Sequence, residues 1–146
     1  MAGNDSEHQI RDIVAARSSA VRLGDIDAMM ADVADDVVTF DVVDPLRRTG
    51  TDTARQRASE WLASYDGPIH WEDRDLAISV DGGVAFCHCL SRVQGRLKTG
   101  VLVDMYFRKT LGFRQIDGRW LVVHDHGSVP FDPVTGKASL GLKPDR

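Results

Sequence analysis

Cysteine, proline and basic runs are all scarce in this chain, and each shortage removes a class of protein. Only two cysteines occur, Cys87 and Cys89 in "FCHCL". At i, i+2 on a strand they share a face too constrained for an ordinary bridge, and they do not form a CxxC pair. They read as small apolar residues in a reducing compartment. Three of the five prolines fall in the tail "PFDPVTGKASLGLKPDR", so the chain before it offers no proline-rich linker, and no repeat or low-complexity stretch appears. Lysine and arginine total 18 against 22 acids, a net charge of −4, with no basic run. Nucleic acid and anionic membrane surfaces are therefore not expected partners. No apolar run approaches the roughly 20 residues of a membrane span. The opening "MAGNDSEHQIRD" lacks the basic and apolar regions of a secretory signal, so the expected address is the cytoplasm. Nucleotide-binding loops, a serine nucleophile elbow and a catalytic Cys–His signature are also missing, and no cofactor is expected.

What remains is an ordinary globular composition, 42% hydrophobic and 27% charged, in 146 residues, the size of one domain (1–146) with an irregular tail from about residue 130. Residues 6–23 read as a helix capped by Ser6 and ended by Gly24, with Ile10, Ile13, Val14, Ala20 and Val21 on one stripe. Arg17 lies near the centre of that stripe, where an arginine either snorkels out or meets an anion. A second helix is expected over 25–34, capped by Asp25, and a third over about 52–65 carrying Trp61. Between them "VVTFDVVDP" predicts a strand over 37–43 with Asp41 in its middle. A buried carboxylate there costs several kcal/mol unless it is paired or protonated. Asp41 is thus a solvated residue, a structural ion pair or a catalytic base. After residue 66 the pattern switches to period two, and strands are expected over 69–80, 84–95, 100–116 and 119–129, joined by Gly-bearing turns.

Three helices on a run of hairpin-connected strands form an α+β domain. Helices covering one face of a curved, mostly antiparallel sheet leave a pocket inside a half-closed cone.

The phrases "RLGDIDAMMADVADDVVTFD", "RRTGTDTARQRASEWLASY" and "FRQIDGRWLVVHDHGS" resemble the ketosteroid-isomerase-like and SnoaL-like branch of the nuclear transport factor 2-like superfamily, over roughly residues 8 to 130. The resemblance implies the cone fold and a homodimer through the outer face of the sheet. Its isomerases place their base a few residues after the "ADD" turn, which an ungapped count puts at Asp41. Their base also precedes a proline, which would favour Asp44. The isomerases' oxyanion tyrosine falls on Arg17 and their protonated acid on Leu111 or Gly112, so steroid isomerase activity is not expected. The same fold hosts many activities.

An Arg17–Asp41 pair inside the cone is the expectation that follows, as a structural ion pair or as a functional one. The resemblance also turns Val123, Asp125 and Gly127 inward, making Asp125 a second pocket acid and sending His124 and His126 outward. Those two histidines stand at i, i+2, but no third ligand sits at diagnostic spacing and no metal is expected. In "VAFCHCLSR" the bulk of Phe86 and Leu90 favours Phe86, His88, Leu90 and Arg92 as the inward set, with His88 a proton carrier or a plain sheet histidine. Alternation in "VDMYFRKT" sets Asp104, Tyr106 and Arg108 against Met105, Phe107 and Lys109 without saying which set faces in. Trp61, Phe86, Arg92 and Tyr106 are the candidate ligand-contacting residues. Two functions fit. One is a cofactor-independent acid/base enzyme on a small oxygenated apolar molecule, with Asp41 as base, Arg17 on the substrate oxygen, and His88 or Asp125 relaying a second proton. The other is a binding or dimerisation module in which Arg17 and Arg92 hold a carboxylate.

Overall fold

The first helix owes its position to its apolar stripe. In the computed structural model, which describes residues 2–145, helix α1 (Ala2–Leu23) buries Ile10, Val14, Ala20 and Val21 against a sheet. Met1 and Arg146, the ends of the expected domain, lie outside the described residues. Gly24 ends α1 with φ of 66°, and Asp25 then donates its backbone N–H to Ala20 O at 2.9 Å. Asp25 caps the short α2 (Ile26–Met30) by accepting from the Ala28 N–H at 3.0 Å. The third helix, α3, runs over Thr51–Ala63.

The strands are β1 (Val33–Phe40), β2 (Arg48–Thr49), β3 (His70–Asp81), β4 (Val84–Arg96), β5 (Leu102–Ile116) and β6 (Arg119–Ser128). They form one six-stranded mixed sheet in the order β2-β1-β6-β5-β4-β3. Among the described residues, only β1 and β6 pair in parallel. This α+β arrangement of three helices on a curved sheet is the one expected. The second helix stops four residues early and the first strand begins four early, because tertiary pairing overrides local periodicity. Val33 fits the helical stripe but pairs with Val122, whose N–H donates to Asp32 O at 2.8 Å. As a result β1 ends at Phe40, and Asp41 stands just past the strand rather than in its middle.

Two apolar clusters close the space between helices and sheet. One joins Ile10 and Val14 of α1 to Val37, Leu111, Phe113, Trp120 and Val122. The other gathers Val21, Tyr65, Ile69 and Val93, with Trp61, Trp71 and Phe107 packed against it. Tyr65 fits here because Gly95 lacks a side chain: a Cβ at Gly95 would lie 2.7 Å from the Tyr65 ring.

Candidate functional site

Between the two clusters lies a cavity of about 420 Å³, walled mainly by apolar side chains of the helices and the concave sheet face. Register decides what reaches it. On β4 the residues facing inward are Ala85, Cys87, Cys89, Ser91 and Val93, each 7% exposed or less. Phe86, His88 and Arg92 therefore point away from the cavity, a correction to the inward set read from bulk. Ala85 and Cys87 of this inward set pack in one cluster with Ile10 and Val14 of α1. The partners of the outward residues agree with that placement. Arg92 grips Asp104 through two bonds of 2.9 and 3.0 Å, and its guanidinium sits 5.4 Å from the centre of the Tyr106 ring. Tyr106 donates to Glu72, so it too belongs to the outer face, and Phe107 and Lys109 line the cavity in its stead. Trp61 lines the cavity as expected, edge-on to Tyr65 and Trp71 at ring distances of 5.3 and 5.9 Å.

Three polar groups break the apolar wall. The first is Asp125 on β6, which pairs with Arg17 at 3.0 Å and with Lys109 Nζ at 2.5 Å. The expected Arg17–Asp41 pair is therefore not formed: the guanidinium of α1 meets the acid in the middle of the sheet, not the one at its edge. Burial by itself would raise the Asp125 pKa, but the Lys109 ammonium and the Arg17 guanidinium outweigh it and hold the carboxyl below its usual value. Asp125 faces inward as expected, and His124 lies on the opposite face with its ring nitrogen Nδ1 2.7 Å from Val38 O and its ring edge-on to Phe40.

The second group is Asp41. Its Oδ2 accepts from Arg48 Nη1 at 3.1 Å and Arg57 Nε at 3.0 Å, and its Oδ1 accepts from the Val42 N–H at 2.7 Å. The acid thus ties the end of β1 to β2 and α3 at the cavity edge. Asp44 is exposed and does not line the cavity; its backbone carbonyl accepts from Arg48 at 2.8 Å.

The third group is Asp73, which the sequence pattern does not single out. Its Oδ1 accepts from Ser91 Oγ at 2.6 Å and from the Trp71 indole N–H at 3.1 Å, and Cys89 Sγ lies 3.8 Å away. Its Oδ2 accepts from the Ser18 hydroxyl of α1. Among the described residues, no lysine or arginine forms an ion pair with Asp73, unlike Asp41 and Asp125. A bulge explains why the pattern hides it. Pairing with β4 shifts between Arg74 and Ala77, with Asp75 at a φ of 59°, so Trp71 and Asp73 face the cavity before the bulge and Leu76, Ile78 and Val80 pack into the core after it. Strict alternation counted back from Leu76 puts Asp73 on the outer face. The signal that could have found it is the change of phase between "IHWED" and "LAISV".

Burial sets the chemistry of the two thiols near Asp73. It pushes Cys87 up to about 12 and Cys89 up to about 11, so both stay protonated and unreactive near neutral pH. Among the described residues, no three His, Cys, Asp or Glu side chains group as metal ligands, and no helix is long and apolar enough to cross a membrane.

Comparison with known proteins agrees with this architecture. The SnoaL-like domain model matches residues 10–132. An NTF2-like protein of unknown function from Pseudomonas putida is 32% identical, with 97% of this chain and 98% of that one covered at a TM-score of 0.89. A ketosteroid isomerase-like protein from Erwinia carotovora is similar in fold at 20% identity, covering 83% and 93% of the two chains at a TM-score of 0.71. So is a candidate dehydratase of the NTF2-like family from Streptomyces avermitilis, at 18% identity, 86% and 97% coverage and a TM-score of 0.73. A search of curated proteins finds no match. With most of its length matched by the family model, the chain belongs to the SnoaL-like domain family and carries the NTF2-like fold.

Proposed function

We propose that the cone binds a small, largely apolar molecule carrying an oxygen function and changes it by acid/base chemistry of the isomerase, cyclase or hydratase type. One observation carries this reading: charge is concentrated in an otherwise apolar cavity. Arg17, Arg48, Arg57 and Lys109 line it together with Asp41, Asp73 and Asp125, one more cation than acid, in a chain whose net charge is −4. Negative charge developing on a ligand oxygen is stabilised most where apolar walls exclude water and the cations are already held in place. In this reading Lys109 and Arg17 face the ligand oxygen, and Asp125 fixes them. Asp41 does the same for Arg48 and Arg57, so it serves as a positioning acid and not as the base. Trp61, Trp71 and Phe107 supply the apolar contact.

The surplus cation also favours a second reading, in which the cone only holds a carboxylate. Quenching of Trp61 and Trp71 fluorescence, measured against a panel of cyclic ketones and the matching carboxylic acids, separates the two. Ketones bound and recovered isomerised, hydrated or cyclised support the enzyme. Acids preferred over ketones, and recovered unchanged, support the binding module. No binding from either panel removes both.

The same reading places two copies of the chain face to face through the outer surface of the sheet. That surface carries Phe40 and Phe86, 37% and 49% exposed, beside His88, His124 and His126. Sedimentation should show a dimer that Phe86→Glu dissociates; a monomer at all concentrations refutes it.

A further inference from the structure

We infer that Asp73 is the proton-accepting carboxylate of the cone and that Ser18 positions it for that role. The inference rests on the acid/base reading and assigns its base. A base must be satisfied both before and after it takes a proton, and the three cavity acids differ sharply in this respect. Asp41 and Asp125 are surrounded by groups that only donate: guanidinium, ammonium and backbone N–H. Protonating either one sets a donor against a donor and leaves cations unpaired in an apolar site.

Asp73 has hydroxyl partners, which both donate and accept. The Ser18 hydroxyl, 8% exposed, lies within hydrogen-bond reach of two acceptors, Asp73 Oδ2 and Val14 O, the latter at 3.1 Å. It has one proton to give. While Asp73 is ionised, Ser18 donates to it. Once Asp73 is protonated, the carboxylic acid donates to Ser18 Oγ, and the Ser18 proton turns to Val14 O. Both states are satisfied without any heavy atom moving. On the other oxygen, Ser91 and the Trp71 indole hold the carboxylate plane fixed in either state. Among the described residues, no lysine or arginine ion-pairs with Asp73, so its hydroxyl and indole partners alone hold it in place.

Sheet register places this acid near the cations. Lys109 is the pairing partner of Cys89, and Asp73 that of Ser91, the next inward residue along β4. A substrate in the cone can therefore present a C–H bond to Asp73 Oδ2 while its oxygen faces Lys109. The class of substrate that fits is one with an acidic C–H conjugated to an oxygen that takes up the negative charge.

Nitrobenzisoxazole tests this without knowledge of the natural substrate. Removal of its carbon-bound proton passes that proton to Asp73, forms a nitrile, breaks the N–O bond and leaves the electron pair on a coloured phenolate oxygen. General-base catalysis contributes about 10²–10⁴-fold. The wild-type protein should accelerate the reaction over free acetate, and Asp73→Asn should lose at least about 100-fold. Asp104→Asn on the outer face should not change the rate. Ser18→Ala should lower the rate and displace its pH profile, which a purely structural role for Ser18 would not do.

In wild-type protein carrying ¹³C-labelled aspartate, the Asp73 carboxyl signal should follow the same pH curve as the rate, a readout independent of how the variants fold. If Asp73→Asn keeps its rate while Asp125→Asn or Asp41→Asn loses it, Asp73 is not the base although the acid/base reading stands. If the probe binds in the cone but the wild type gives no acceleration, the acid/base reading fails with it.

Discussion

Replacing Asp125 by Asn tests the central ion cluster directly. The change keeps shape and removes one charge between Lys109 at 2.5 Å and Arg17 at 3.0 Å. At an effective dielectric of about 20, these contacts are worth about 6.6 and 5.5 kcal/mol of gross attraction. Desolvation of three ions cancels most of it, so the net loss is that of breaking a buried pair, about 3–5 kcal/mol. The loss arises because the asparagine amide offers a donor to one cation and leaves both without a counter-charge. For a chain of this size, about 3 °C per kcal/mol gives a melting point lower by about 9–15 °C.

The pH dependence sharpens the test. Because the folded-state pKa of Asp125 is depressed, its stabilisation is present above the ordinary carboxylate value and disappears as pH falls through the folded-state value. Wild type and variant should therefore differ fully near neutral pH and converge in acid, below the ordinary carboxylate range, as Asp125 takes up its proton in the folded wild type. Urea denaturation at neutral and acid pH measures this. A gap under about 1 kcal/mol at neutral pH, or one that persists undiminished in acid, refutes the argument.

Three other outcomes follow from packing and burial. Gly95→Ala should drive a methyl group to 2.7 Å from the buried Tyr65 ring and cost about 1–3 kcal/mol, seen as a lower melting point. Cys87 and Cys89 should resist a thiol-disulfide reagent at mildly alkaline pH in folded protein and react once urea unfolds it; fast labelling of the native state contradicts the burial described. His88→Ala and Arg92→Ala should leave the affinity for any cavity ligand unchanged, because both side chains lie on the opposite face of the sheet; a tenfold loss in either would return them to the site.

Periodicity and turn chemistry were enough, in the sequence alone, for three helices, a long antiparallel run and the inward place of Arg17. Those features are local: the stripe of Ile10, Val14 and Val21 and the Gly24 stop act within a few residues. Phrase-level resemblance added the fold, which the matched family and the parallel β1–β6 closure of the sheet agree with. Tertiary structure alone decided the composition of the site. A side chain in a strand has only two faces to choose between, and a single bulge exchanges them. The bulge between Arg74 and Ala77 brings Asp73 inward, and the register of β4 turns the small Cys87, Cys89 and Ser91 inward in place of Phe86, His88 and Arg92. The partner of Arg17 was likewise out of reach of the sequence, because Asp125 lies 108 residues away and meets α1 only when β6 takes its place in the middle of the sheet.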